Sequence, residues 1–188
     1  YNGLGTAAGS VDGAMTESGS GFGASGTGYV QCFYLQNSTA GAQTYTWTAN
    51  SGNHYLSSRA WPITGVVTSG GATAPVGVNA YSGTSPTTGA ITISVRSLII
   101  AVHSNCEGVS SGTGTATSGW TELVEERPNT IFHGRYVHYR IADAGTYTSN
   151  PTSLGSATGW ASMAFALQED TGGGGGPTVK SLATLGVG

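Results

Sequence analysis

Apolar residues along this chain fall into short strand-like runs, several alternating with polar residues at a period near two, and the clearest succession of strands and turns lies between residues 97 and 169. SLIIAVHSN opens that stretch, GWTELVEE leads into FHGRYVHYRIADAGTYTS, and GWASMAFALQE closes it. Each run is rich in β-branched or aromatic residues and bounded by Gly, Ser, Thr or Asn, the pattern of strands separated by turns. Gly119-Trp120 and Gly159-Trp160 each stand where a strand is expected to open. Upstream, YVQCFYLQN, AQTYTWTAN, HYLSSRAWPITGV and the ITISV end of GVNAYSGTSPTTGAITISV repeat the texture. Pro62 confines its strand to an edge or a bulge, and Ser85-Pro86-Thr87 marks a turn. The pattern predicts about eight strands by residue 169 and no helix, because helical periodicity is missing and the glycine and β-branched content penalises helix. The expected fold is all-β: an antiparallel β-sandwich, jelly-roll-like.

The flanks read differently. Residues 1–28 are almost all small and are expected to be extended loop with at most one short strand, lying across a neighbouring surface or subunit. Residues 29–170 form the sandwich domain, and residues 171–177, TGGGGGP, form a linker. Residues 178–188 carry Val179, Leu182, Leu185 and Val187, apolar side chains that a solvated tail does not need. They read either as a docking arm that contacts other subunits by adding a strand to a sheet edge, or as an unstructured terminus or the start of a further domain.

Composition narrows the function classes. Of 188 residues only 8% are charged, against a usual ~25%, and 32 are glycine, more than twice the usual ~7%. With 38% apolar residues the chain is not of the disordered type, so its surface is one of Ser, Thr, Asn, Gln and Gly. Six scattered basic residues and a net charge of −3 argue against nucleic-acid binding. The longest apolar run, SLIIAV, is far short of the ~20 residues of a membrane span. Cys32 and Cys106 read either as one disulfide or as two buried small hydrophobes.

Candidate chemistry is sparse. Gly21-Phe22-Gly23-Ala24-Ser25-Gly26 matches G-x-G-x-x-G, but no helix pattern or ribose-binding acid follows it. His103 and Cys106, with His133 or His138, supply at most three ligands where zinc takes four. His133 and His138 are five apart and point to opposite faces of one strand, so ordinary strand or loop histidines are expected, with no metal and no cofactor. Glu122, Glu125, Glu126 and Asp143 suit a paired-carboxylate reading, but cross-strand pairing of the glutamates with Arg127, Arg135 or Arg140 at a solvated strand end fits them better. The aromatic residues offer one further site. Tyr45 and Trp47, two apart on a strand, share a face and form a candidate glycan platform, whereas Trp120 and Trp160 read as core.

The order SGTSPTTGAITISVRSLIIAVHSN, SGWTELVEE, YVHYRIADAGTYT and GWASMAFALQE resembles a β-sandwich module of tailed-bacteriophage structural proteins and some secreted bacterial proteins. The likeness covers roughly residues 29–169, and the tail VKSLATLGVG is similar to terminal segments of phage virion proteins. It implies a non-enzymatic virion subunit (capsid decoration, head fibre or tail surface) whose partners are its own copies and other virion proteins. The glycine-rich start and the GGGGGP linker depart from the module. The alternative is a carbohydrate-binding or adhesin module that meets a host surface glycan, and a secreted glycan-active enzyme is a weaker third reading.

Overall fold

The computed structural model describes residues 5–9, 13–17, 22–23, 29–36, 44–49, 61–83, 85–105, 114–126, 134–153, 157–172 and 177–179. In chain order the strands are β1 (Gly5–Gly9), β2 (Gly13–Ala14), β3 (Thr16–Glu17), β4 (Phe22–Gly23), β5 (Tyr29–Val30) and β6 (Phe33–Tyr34). There follow β7 (Tyr45–Ala49), β8 (Ile63–Thr64), β9 (Ala72–Gly83), β10 (Ala90–Ile93) and β11 (Ser97–Asn105). The last are β12 (Thr121–Glu126), β13 (Gly134–Ala142), β14 (Gly145–Thr148), β15 (Ala157–Gln168) and β16 (Thr178–Val179). All pairings between them are antiparallel, and no helix occurs among the described residues. The fold is all-β, as the alternation predicts.

The centre is a five-stranded sheet in the order β12-β13-β11-β15-β9. Its middle strand, β11, is apolar without interruption from Leu98 to Val102, because both of its faces are buried there. Leu98, Ile100 and Val102 join Val137, Met163, Phe165 and Leu167 on one face, covered by Val30, Trp61, Ile63 and Val66. Ile99 and Ala101 join Ala142, Ala164 and Ala166 on the other, under Ile91, Ile93 and Tyr147. That second cover is a two-stranded ribbon in which β10 pairs with β14, Ile91 opposite Tyr147. Its outward face is polar, with Thr92 and Thr146 hydroxyls 2.9 Å apart. Small residues on the sheet let the larger ribbon side chains sit close, which is how unequal faces reach native packing density.

Several expectations about individual elements change. The described part of residues 1–28 holds four short strands, of which three pair with later strands, β1 with β7, β3 with β6 and β4 with β5, while β2 pairs with β1. Small side chains do not forbid a ladder, since backbone groups alone make it, and the pairings cross the expected boundary at residue 28. YVQCFYLQN divides into β5 and β6, and YRIADAGTYT divides at Asp143-Ala144, where β14 leaves the sheet to join β10. β9 is a 12-residue strand that the sequence pattern does not place, and Pro75 fits because β9 is an edge strand. Gly119 precedes β12 with φ +79°, as a strand-opening glycine should, but Gly159 lies inside β15. Trp120 and Trp160 are both buried.

Candidate functional site

Under one end of the ribbon the sheet carries polar rather than apolar side chains. Alternation puts His103 of β11 on the ribbon-facing side, and register sets it between Tyr136 of β13 and Ser162 of β15. His138 lies on the same face of β13, two residues from Tyr136. Ser149, just beyond β14, comes down onto both rings. His103, His138, Ser149, Ser162 and Thr88 are all withdrawn from water. The His103 Nδ1 is 2.8 Å from Ser162 Oγ, its Nε2 is 2.8 Å from Ser149 Oγ, and His138 Nε2 also bonds Ser149 Oγ. Ser149 is itself fixed by Thr88, whose Oγ1 accepts from Ser149 N at 3.2 Å and whose N donates to Ser149 O at 3.1 Å.

The proton arrangement follows from the donor count. Ser149 has one hydroxyl proton and faces two ring nitrogens, so it donates to one ring and accepts from the other. If it donates to His138, the His138 N–H lies at Nδ1, which is buried without a partner. A buried orphan N–H is costlier than an orphan acceptor. The cheaper arrangement has Ser149 donating to His103 Nε2, His138 Nε2–H donating to Ser149, and His103 Nδ1–H donating to Ser162. Burial holds both rings neutral: His138 is lowered to about 4, and His103 well below 6.5 by burial and then by its neighbour His138. Aromatic rings complete the enclosure, Trp120 tilted at 4.9 Å and Tyr136 edge-on at 5.2 Å from the His138 ring centroid. Tyr136 donates to Glu122 Oε2 at 3.3 Å, leading the network toward the surface.

Bonded and buried in this way, the cluster is placed to fasten the ribbon to the sheet. The expectation of ordinary strand histidines fits its chemistry, but His103 and His138 are neighbours, with ring centroids 5.4 Å apart. Sequence reasoning missed Ser149, Ser162 and Thr88. The legible signal was two histidines flanked by apolar or aromatic residues within strands, His103 after Val102 and His138 between Val137 and Tyr139, each needing a partner if buried. No group of three metal-ligating side chains occurs among the described residues.

The other predicted positions are dispersed. Tyr45 and Trp47 lie on β7 opposite Gly9 and Ala7, and Tyr45 is 44% exposed while Trp47 is half-buried. Val179 pairs with Ile63, so the start of the C-terminal segment adds a strand to β8 of its own chain. Leu182, Leu185 and Val187 lie outside the described residues, as do His133, Arg127 and Cys106. Cys32 is a free thiol packed against the core, where burial pushes it up to about 12. Glu126 stands opposite Arg135 in register, whereas Asp143 pairs with Arg96 at 3.1 Å and Arg140 stacks on Tyr147 at 4.6 Å. Comparison of this chain with protein-family models, with curated proteins and with solved structures finds no match.

Proposed function

We propose that this chain is a non-enzymatic structural subunit of a virion, a sandwich-type module that decorates a capsid, head fibre or tail surface. The observation that carries the reading is the burial of the His103–Ser149–His138 cluster. Its residue types are those of nucleophilic and acid–base chemistry, yet they are spent on each other inside the packing. The low charge, the small polar surface residues and the likeness of residues 29–169 to phage β-sandwich modules support the same reading. Its partners are copies of itself and other virion proteins, met through apolar positions beyond β16. Replacing Leu182, Leu185 and Val187 by Ser, with β16 retained, tests this in reconstituted particles. Incorporation is expected to be lost while the circular dichroism spectrum stays unchanged; undiminished incorporation refutes the docking arm.

A second reading rests on Tyr45 and Trp47. Two aromatic rings on one strand face, opposite residues with little or no side chain, make a flat surface of the kind a sugar ring stacks on. Trp47→Ala is then expected to abolish retention on a glycan array and leave the unfolding midpoint in place. Retention equal to that of the wild type excludes a platform.

A further inference from the structure

The β10–β14 ribbon is attached unequally at its two ends. At its turn end the chain itself ties β10 to β11 and β13 to β14, and Arg96 bridges Asp143 at 3.1 Å and Glu169 at 2.8 Å. At its far end the ribbon meets the sheet through Ser149 and the two histidines. Other hydrogen bonds there, among the described residues, do not titrate: Asn150 N donates to Thr117 Oγ1 at 2.7 Å, and Thr115 and Thr152 exchange two backbone bonds of 2.9 Å.

This cluster has no place for another proton. A proton on His138 Nδ1 creates a buried N–H with no acceptor. A proton on His103 makes both of its nitrogens donors, so Ser149 receives two N–H groups and its own hydroxyl proton loses its acceptor. Either event puts a cation in a closed space beside a second imidazole. The groups facing the rings offer no compensating contact. Those from β12 and the residue before it are Glu122, bonded to Tyr136, and Trp120; from β13, Tyr136 and Arg140, the latter stacked on Tyr147; from β14, Tyr147; from β15, Ser162; and from the segment before β10, Thr88. Neither ring is hydrogen-bonded to a carboxylate.

We infer that the His103–Ser149–His138 cluster is an acid-released latch: protonation frees the far end of the ribbon, which swings about its Arg96 end and uncovers Ile99, Ala101, Ala164 and Ala166. The property goes beyond the structural role proposed above and does not depend on it. Opening lets the rings return to solvent, where an imidazole takes up a proton near 6.5. One ring held at about 4 in the closed form then favours opening roughly thirtyfold more at pH 5 than at pH 7.5.

Hydrogen exchange followed by mass spectrometry on the full chain at pH 7.5 and 5.0, corrected for intrinsic rates, tests this. Peptides covering 90–93 and 145–149 are expected to lose protection by at least tenfold at pH 5.0, while 98–102 and 161–167 keep theirs. The double variant His103→Gln/His138→Gln is expected to remove the difference. Parallel loss in ribbon and sheet, or a difference that survives in a folded double variant, overturns the latch. Should that variant not fold, wild-type NMR decides. Imidazole titration accompanied by Ile91 and Ile93 methyl shifts at the same midpoint supports the latch, and titration with those methyls unmoved overturns it.

Discussion

Ser149 is the residue on which most of the buried polar chemistry depends. One hydroxyl serves two rings, and its backbone is held by Thr88 at both N and O. Ser149→Ala removes one donor and one acceptor together, leaving a His138 N–H and a His103 lone pair unpaired in a dry environment. Each buried unsatisfied group costs about 1–3 kcal/mol, so the variant is expected to lose about 2–4 kcal/mol in urea unfolding at pH 7.5. A loss below ~0.5 kcal/mol would mean that water replaces the hydroxyl, and that the cluster is less closed than its burial implies. Ser162→Ala removes one bond and is expected to cost less than Ser149→Ala.

At the scale of elements, the two strongest sheet edges are closed by different means. β12 carries Glu122, Glu125 and Glu126, and β9 carries Pro75, both of which discourage pairing with another chain. The turn into β9 depends on Gly70 and Gly71, with φ +65° and +67°. A Cβ on Gly70 meets nothing within 4 Å, whereas one on Gly71 falls 2.6 Å from Val67 Cγ2 and 2.8 Å from Gln168 Cβ. Gly70→Ala therefore carries backbone strain alone, about 1 kcal/mol. Gly71→Ala adds a collision with the end of β15 and is expected to lower the melting temperature by more than its neighbour does. Equal shifts for the two would show that the turn simply moves aside.

At the scale of the whole molecule, global stability is expected to fall as the solution is acidified. Both histidines are neutral in the folded state and take up protons near 6.5 when unfolded. The unfolded chain therefore binds more protons below that pH. The stability they confer is fully present above about 6.5 and is lost as pH falls toward the folded value, about 4 for His138. The slope is about 1.4 kcal/mol per pH unit for each ring. Urea unfolding at pH 7.5, 6.0 and 5.0 measures it, and His138→Gln is expected to make the curve shallower. A flat wild-type curve would contradict the closed, neutral cluster.

The residue order alone determined the β class, the strand over 97–105 with its apolar run 98–102, and the burial of Trp120 and Trp160. Those features depend on period-two alternation and on how much apolar surface a strand must hide, both local properties of sequence. It left Glu125 and Glu126 with three arginines as possible partners, and only the register of β12 with β13 set Glu126 opposite Arg135. Three further things were decided only by the tertiary fold. β1, β3 and β4 became strands because later segments supplied partner backbones, which their small side chains do not announce. YRIADAGTYT split at Asp143 because β14 leaves the sheet to pair with β10, a partner that lies far away in the sequence. His103, His138, Ser149 and Ser162 met because sheet register and the ribbon's return bring distant hydroxyls over two rings. Hydrogen-bond partners across 11 to 59 residues leave no periodic trace in a chain, so only the folded arrangement revealed them.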